Sequence, residues 1–408
     1  SHTDWYFAEG YTGGGFDEYI LVFNPEDAVT SFDLEMMLPD GSSHTSTFDV
    51  GPKARVTFHV DDFPGMSDTN VSVRVHAQGP VVAERAMYFD YNGATGGHVS
   101  PGANEPSTQW YFAEGYTGGG FDEYILVLNP NPLDAVVTLD FMKPDGSVYS
   151  QDFPARAGSR ITINVDAAPE MGDTDVSVRL TSTLPVVAER AMYFGYNGID
   201  GGTVSNGSIE LATQWYFAEG YTGGGFDEYI LVLNPNPLDA VVTLDFMKPD
   251  GSVYSQDFPA RAGSRITINV DAAPEMGDTD VSVRLTSTLP VVAERAMYFG
   301  YNGIDGGTVS NGSIELATQW YFAEGYTSRF FDTYLLVMNP NDYDLPVVVT
   351  FCRPDGSTVG QPMMVGPHSR ATLKVNLVPN LSNSEFSIRV DTGGPAVVER
   401  AMYFSYPR

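Results

Sequence analysis

The sequence predicts an all-β protein built from four tandem immunoglobulin-like antiparallel β-sandwich domains in a linear array. A stretch that begins Trp-Tyr-Phe-Ala-Glu-Gly occurs four times, at Trp5, Trp110, Trp215 and Trp320, with a constant spacing of 105 residues. Each repeat contains short segments of alternating apolar and polar residues, separated by Gly, Pro, Asn and Asp about every 8–12 residues. No helical period of apolar residues occurs. These observations predict sandwich modules, with a small Greek-key barrel as the alternative fold.

The repeat period sets the predicted domain boundaries: module 1 at 1–107, module 2 at 108–212, module 3 at 213–317 and module 4 at 318–408. A unit of this length can bury its own core, unlike the short repeats of solenoids. Modules 2 and 3 are identical in sequence, so the comparison of modules 1, 2 and 4 shows which residues are retained. The chain begins at a repeat boundary without a methionine, which favours a mature or excised piece.

Seven strands are predicted in module 2, at 109–115, 123–128, 135–142, 148–153, 160–165, 176–180 and 186–194. Residues 203–205 are expected to pair as an extra strand within the long connecting segment. The strands at 124–128 and 186–194 are apolar on both faces. Either they lie centrally in the sandwich, or their outer face meets a neighbouring module or chain.

Composition excludes several classes of partner. The net charge is −31, with 52 acidic against 21 basic residues, so the surface repels nucleic acid and anionic lipid. No run approaches the roughly 18 apolar residues of a membrane helix, and we expect no membrane insertion. Cys352 is the single cysteine, so the chain cannot form an intramolecular disulfide.

Two ionisable residues recur in every module: the Glu of Ala-Glu-Gly and the Arg of Glu-Arg-Ala-Met-Tyr-Phe. A buried charge persists only when it is paired. We therefore expect structural ion pairs within each module: Glu9 with Arg85, Glu114 with Arg190, Glu219 with Arg295, and Glu324 with Arg400. The competing hypothesis makes Glu114 and Asp122 a general acid and base. It has less support, because enzymes rarely carry four tandem copies of one catalytic site.

No catalytic residue, cofactor or metal is predicted. Modules 2 and 3 contain no histidine, so a histidine-dependent triad or zinc site cannot belong to the repeat. The Gly-Gly-Gly loop lacks the Gly-Lys-Ser/Thr ending of a phosphate-binding loop. Asp166, Asp173 and Asp175 share one predicted loop and are the weak candidate ligands for calcium. Asparagine replaces aspartate at some of the matching positions in modules 1 and 4.

The retained motifs resemble a known group of proteins. The pattern of Trp-Tyr-Phe-Ala-Glu-Gly, Gly-Phe-Asp-Glu-Tyr-Ile-Leu-Val, Asn-Pro, Pro-Asp-Gly and Glu-Arg-Ala-Met-Tyr-Phe is similar to the tandem repeats of large secreted and cell-surface proteins from bacteria. The resemblance covers the whole chain. It implies an extracellular location and a repeated architecture, and it implies no particular activity.

From these observations we expect a non-enzymatic, extracellular structural protein that forms part of a surface stalk, fibre or filament. Its expected partners are neighbouring modules or copies of itself, joined by an ordered segment at 195–213 into a regular rod. The alternative is an adhesion or carbohydrate-binding surface module that binds glycan. In that case Tyr11, Tyr196 and Tyr301 offer stacking surfaces.

Overall fold

The computed structural model describes residues 1–405, and its regular structure is almost entirely antiparallel β-strand. The strands form four sheet systems of similar layout, one in each module. The predicted all-β class, with tandem antiparallel β modules, is confirmed. The last residues of predicted module 4, 406–408, lie outside the described part of the chain.

The strands follow the same order in each module. Module 1 contains β1 His2–Phe7, β2 Asp17–Phe23, β3 Thr30–Met37, β4 Ser43–Val50, β5 Arg55–His59, β6 Ser72–Tyr91 and β7 Ala94–Pro101. Module 2 contains β8 Ser107–Phe112, β9 Phe121–Asn129, β10 Ala135–Met142, β11 Val148–Ala155, β12 Ser159–Asn164, β13 Ser177–Tyr196 and β14 Ile199–Asn206. Module 3 contains β15 Ala212–Phe217, β16 Phe226–Asn234, β17 Ala240–Met247, β18 Val253–Ala260, β19 Ser264–Asn269, β20 Ser282–Tyr301 and β21 Ile304–Asn311.

Module 4 repeats this order with small differences. It contains β22 Ala317–Phe322, β23 Tyr326–Thr327, β24 Phe331–Asn339, β25 Leu345–Cys352, β26 Thr358–Val365, β27 Ser369–Lys374, β28 Ser384–Glu385 and β29 Ser387–Phe404. Two single-turn 3₁₀ helices, Val60–Asp62 and Val375–Leu377, follow β5 and β27.

One long strand organises each module. In module 2 the first half of β13 pairs with β8 and β10, and its second half pairs with β9 and β14. Two four-stranded layers, β11-β10-β13-β8 and β12-β9-β13-β14, therefore share this strand. The prediction of two separate strands here is wrong. Pro185 is tolerated because the pairing of β13 with β10 ends at Ser182 and its pairing with β9 begins at Val187, so neither neighbour requires the missing N–H.

The retained turn motifs act through their side chains. Asn129, at the end of β9, is fully buried, and its amide donates to the carbonyls of Leu133 and Ala155, both at 2.9 Å. In the β10–β11 hairpin, Asp145 accepts a 2.9 Å hydrogen bond from the Ser147 amide. The Pro-Asp-Gly and Asn-Pro motifs are thus retained for structural reasons.

The opening tryptophan fastens the first strand of each module to its long strand. Trp110 is 2% exposed, and its indole N–H donates to the Val186 carbonyl at 2.8 Å. Trp110 lies near the boundary between modules 1 and 2. Tyr6 and Ala8 of module 1 belong to the same apolar cluster as Trp110 and the core of module 2. The cores of consecutive modules are therefore continuous.

The modules close into a ring, and this corrects the predicted linear array and rod. Arg55 of module 1 lies 2.7 Å from Glu324 of module 4, and Arg400 of module 4 lies 2.8 Å from Glu84 of module 1. The same two salt bridges occur at each junction between consecutive modules, as described below. One junction repeated with a constant rotation returns the fourth module to the first. The sequence indicates that the junction repeats, but it does not indicate the angle by which one module is rotated relative to the next.

Candidate interaction site

Two salt bridges recur at all four junctions, most of them between buried side chains. One joins the Arg of Glu-Arg-Ala-Met-Tyr-Phe to the Glu of that motif in the next module: Arg85–Glu189 at 2.9 Å, Arg190–Glu294 at 2.8 Å, Arg295–Glu399 at 2.7 Å and Arg400–Glu84 at 2.8 Å. The other joins the Glu of Ala-Glu-Gly to an arginine on β5, β12, β19 or β27 of the next module: Glu9–Arg160 at 3.2 Å, Glu114–Arg265 at 3.2 Å, Glu219–Arg370 at 3.9 Å and Glu324–Arg55 at 2.7 Å.

The junction between modules 2 and 3 shows how the arginine of the motif is satisfied. The Nη1 atom of Arg190 donates to the Glu294 carboxylate at 2.8 Å and to the backbone carbonyl of Glu114 at 2.7 Å, while Nη2 donates to the Ser205 hydroxyl at 2.7 Å. Both Arg190 and Glu294 have fully buried side chains. Burial is the largest single effect and lowers the pKa of Arg190, but Glu294 and the other nearby carboxyl groups together outweigh it, so the pKa of Arg190 is raised.

The predicted pairing within modules is therefore wrong, although all eight predicted residues are ion-paired. Arg190 meets only the backbone of Glu114, whose carboxylate instead pairs with Arg265 of the next module. Burial raises the pKa of Glu114, and Arg265 opposes that rise. The four arginines of the second pair, and the Glu beside each motif arginine, were missed by the sequence analysis. Their signal was available: each position is retained in all four modules.

Aromatic side chains cover the rest of the junction. Tyr298 of module 3 packs against Phe121, Phe194 and Tyr196 of module 2, with ring centroids 6.1, 5.0 and 4.4 Å apart. The apolar outer face of the strands at 124–128 and 186–194 also meets a neighbouring module, since Leu126, Ala191 and Tyr193 share an apolar cluster with residues of module 1. This was the second of the two predicted alternatives.

The three tyrosines proposed as glycan-stacking surfaces already have aromatic neighbours. Tyr196 stacks on Tyr298 at 4.4 Å, and Tyr301 lies 4.5 Å from Tyr403 across the next junction. Tyr11 contacts Phe16 edge-to-face at 5.2 Å. Tyr196 and Tyr301 therefore serve the contacts between modules.

The acidic residues considered for chemistry are engaged elsewhere. Asp122 accepts a hydrogen bond from Tyr91 of module 1 at 3.1 Å. The calcium candidates do not converge: Asp166 accepts from the Glu123 amide at 2.8 Å, Asp173 from the Tyr116 hydroxyl at 2.9 Å, and Asp175 pairs with Arg265 at 3.3 Å.

Another acidic group is close enough to share a cation. This group consists of Asp17, His59 and Asp61 of module 1. It is the only set of three potential metal-ligand side chains this close together within residues 1–405. The His59 ring lies 3.3 Å from Asp61, as in an ordinary ion pair. Lys374 stands at the position of His59 in module 4 and bonds to Asp332 at 3.0 Å. The cluster is thus not a property of the repeat.

Three buried carboxyls have no partner. Glu18, Glu123 and Glu228 occupy one position in modules 1 to 3; they are 0% exposed, and their carboxylate oxygens have no hydrogen-bond donor in the described part of the chain. Burial raises the pKa of Glu18 and of Glu228 to about 8, against the opposing effects of Arg85 and Arg295. Such groups are neutral in the folded protein at pH 7.

Replacing Glu228 with glutamine is expected to remove a pH dependence of stability. The unfolded carboxyl has a pKa of 4.5 and the folded one about 8, so the folded state binds the extra proton between these values. The proton on Glu228 therefore stabilises the folded wild-type protein fully below pH 4.5, and this contribution is lost as the pH rises towards 8. Each pKa unit corresponds to about 1.4 kcal/mol, so Glu228→Gln should be the more stable form at pH 8 by a few kcal/mol.

Urea unfolding of both proteins at pH 5 and pH 8 measures this effect. Glu315→Gln, at an exposed position of the same module, is the matched control and should follow the wild-type curve. If Glu228→Gln and the wild type lose stability in parallel as the pH rises, then the buried carboxyl is not the protonated group.

The same strand from three modules lines the centre of the ring. β14 lies beside β7 on one side and β21 on the other. Asn206 donates to the Pro101 carbonyl and Asn311 to the Asn206 carbonyl, both at 2.7 Å. A cavity of about 990 Å³, lined by residues of all four modules, occupies the remaining part of the centre.

Comparison with known proteins gives a partial match. Residues 1–189 match the model of DUF5719, a family of unknown function. No curated protein matches the sequence. No helix within residues 1–405 has the length and apolar character needed to cross a membrane.

Solved structures are similar over single modules or with low scores. Thermotoga maritima protein 1070 is 16% identical, with 25% of this chain and 94% of that chain covered and a TM-score of 0.24. The Anabaena sensory rhodopsin transducer is 24% identical, with 21% and 95% covered and a TM-score of 0.20. A tetra-tandem repeat from the extending region of a large adhesion protein is 12% identical, with 93% and 92% covered and a TM-score of 0.13.

Proposed function

We propose that this chain is a non-enzymatic structural protein of the bacterial cell exterior, in which four β-sandwich modules form one closed ring. The ring acts as a unit of a larger surface stalk, fibre or filament. The observation that carries the proposal is that the acidic residues considered for catalysis make contacts between modules. A repeated active site would need Glu114 and Asp122, and both are engaged in contacts between modules: Glu114 pairs with Arg265, and Asp122 accepts a hydrogen bond from Tyr91.

The resemblance to tandem repeats of secreted and cell-surface bacterial proteins supports the location. The acidic surface, with a net charge of −31, fits a partner that is protein rather than nucleic acid or anionic lipid. The alternative function, an adhesion or carbohydrate-binding module, draws less support because Tyr196 and Tyr301 stack on tyrosines of the next module.

Antibody labelling of intact cells of the source organism tests the location, with immunogold electron microscopy to show the assembly. We expect labelling of unpermeabilised cells, on particles or fibres that extend from the surface. A cytoplasmic protein used as the control should label only after permeabilisation. Labelling of the chain that also requires permeabilisation would refute the extracellular location.

A further inference from the structure

Three side chains of module 1 bring their ligand atoms together. Asp17 begins β2, His59 ends β5, and Asp61 lies in the 3₁₀ helix that follows. One oxygen of each carboxylate and a ring nitrogen of the imidazole lie within 4.8 Å of one another. Nε2 of His59 is 3.3 Å from Oδ2 of Asp61 and 3.9 Å from Oδ1 of Asp17. The ligand atoms around a tetrahedral zinc ion are about 3.3 Å apart, so the three side chains are close to the spacing of a metal site.

The other nitrogen of the imidazole also faces a carboxylate. Nδ1 of His59 lies 3.3 Å from Oδ1 of Asp62, and the Tyr19 ring stacks on the imidazole at 4.7 Å. A histidine that binds a metal almost always donates its second N–H to such an oxygen, which fixes the tautomer and leaves the ligating nitrogen unprotonated. In that tautomer the lone pair of Nε2 faces Asp17 and Asp61.

The Nε2 atom of His59 is not satisfied by the protein. It is buried, and within residues 1–405 it has no hydrogen-bond partner. The ion-pair distance to Asp61 is thus not accompanied by a hydrogen bond. Buried polar atoms in native proteins nearly always have a partner. A metal ion between this nitrogen and the two carboxylate oxygens would satisfy all three atoms.

The equivalents of Asp61 in modules 2 and 3 make a closer contact with the backbone. Asp166 and Asp271 each accept a hydrogen bond from the amide of a glutamate at 2.8 Å. The matching contact of Asp61 is longer, at 3.4 Å. Asparagine stands at the position of His59 in both of those modules. The Asp61 carboxylate therefore lies away from its backbone donor in the module that has a histidine beside it.

Module 4 carries a cation of its own at the equivalent position. Lys374 replaces His59, and its ammonium lies 3.0 Å from Oδ2 of Asp332. Asn376 replaces the second carboxylate there, so one positive charge faces one negative charge. Module 1 keeps both carboxylates, and in the part of the chain that the structure describes neither forms a salt bridge with a lysine or an arginine. A divalent ion would balance their charge.

The ligand set determines which class of metal fits. Imidazole is a ligand for zinc, copper and nickel, whereas calcium and magnesium take oxygen ligands. Three protein ligands leave a coordination position for water, as in many zinc sites. The side chains of Asp17 and His59 are 41% and 28% exposed, so an ion and its water can enter from the solvent.

We propose that Asp17, His59 and Asp61 form a binding site for one zinc ion, or a divalent transition-metal ion of similar chemistry, in module 1. Asp62 is a positioning residue that orients the imidazole. The ion joins the start of β2 to the end of β5 and to the 3₁₀ helix, and it thereby stabilises module 1. This goes beyond the proposed function, because it concerns a structural ion and neither the location nor the assembly of the ring.

Calorimetric titration of the full chain with zinc chloride tests the proposal. The chain is free of any affinity tag and is first treated with a chelator. Excess calcium chloride is present throughout, because a chain with a net charge of −31 attracts divalent ions without a specific site. We expect saturable binding of one zinc ion per chain at micromolar concentration. The melting temperature should rise with zinc, since a ligand that binds only the folded state stabilises it.

The repeat itself supplies the variants. His59→Asn and Asp61→Asn introduce residues that other modules have at these positions, so both proteins should fold. Each variant loses one ligand and should bind zinc at least about 100-fold more weakly. Asp62→Asn should bind it about 10-fold more weakly, with an unchanged melting temperature in zinc-free buffer, and Asp62→Glu should restore the affinity. His44→Asn, a histidine of the same module beside Ser46, is the control and should bind zinc like the wild type.

Two results would overturn the proposal. One is that the wild-type chain, folded in the same buffer, binds no zinc or loses it to excess calcium. The other is that His59→Asn binds zinc as tightly as the wild type, which would assign the ion to the acidic surface in general.

Discussion

An isolated second module, residues 108–212, is expected to assemble into a ring of four identical copies. Modules 2 and 3 have the same sequence, so the junction between them already shows how one copy meets the next. In such a ring Arg190 of each copy pairs with Glu189 of its neighbour, the equivalent of Glu294 in the chain. A head-to-tail contact whose rotation closes after four units generates a cyclic tetramer.

A monomeric form of the isolated module is expected to be much less stable than the ring. A monomer would leave Arg190, Glu189, Glu114 and Arg160 without the partners that they have in the ring. A monomer would also expose to water the rings of Phe121, Phe194 and Tyr196, which Tyr298 of the next module contacts in the chain. Folding and assembly should therefore be coupled, and the melting temperature of the module should rise with its concentration.

Light scattering coupled to size exclusion measures the mass of the isolated module. We expect four times the mass of one copy at micromolar concentration. Glu189→Arg, which places like charges opposite each other at every junction, should abolish the tetramer. A stable, cooperatively folding monomer would contradict the prediction and would show that the junctions contribute little to stability.

Replacing Arg190 with methionine in the full chain is expected to destabilise it by about 3–5 kcal/mol, the usual cost of leaving one member of a buried ion pair behind. The substitution removes the bonds to Glu294, to the Glu114 carbonyl and to Ser205. Urea unfolding monitored by tryptophan fluorescence gives the change in the free energy of unfolding. Lys143→Met is the matched control: Lys143 lies 3.4 Å from the exposed Glu170, and such surface pairs contribute about 0–1 kcal/mol.

A double-mutant cycle identifies the partner. Arg190→Met should be strongly coupled to Glu294→Gln, because the two side chains share one buried pair. It should be only weakly coupled to Glu114→Gln, whose carboxylate pairs with Arg265. Stronger coupling to Glu114→Gln than to Glu294→Gln would instead support the pairing of Arg190 with Glu114 within one module.

Much of each module could be predicted from local patterns. The strand β10 coincides with the predicted 135–142 because its apolar and polar residues alternate, and the Pro-Asp-Gly turn fixes the hairpin after it. The long strand β13 could not be predicted, since a proline at 185 normally ends a strand. What permits it is the exchange of partners between two layers, which depends on the tertiary structure.

The pairing of charges shows a different limit of the sequence. Burial and pairing of Glu114 and Arg190 followed from the rule that buried charges need partners. The identity of the partner did not, because every module offers the same retained glutamates, one in Ala-Glu-Gly and one beside the motif arginine, as chemically similar choices. Only the rotation between modules decides among them, and that rotation arises from packing of side chains spread over the whole junction.

Closure after four modules also limits how many modules one ring can hold. Modules 2 and 3 are identical over 108–212 and 213–317, so their coding sequences can misalign during recombination and add or remove a copy. In an open fibre a fifth copy would only lengthen the particle. Here the first and fourth modules already hold each other through Arg55 and Arg400, and an extra copy would find no vacant place between them. A fifth module could therefore enter this ring only by breaking those contacts between the first and fourth modules.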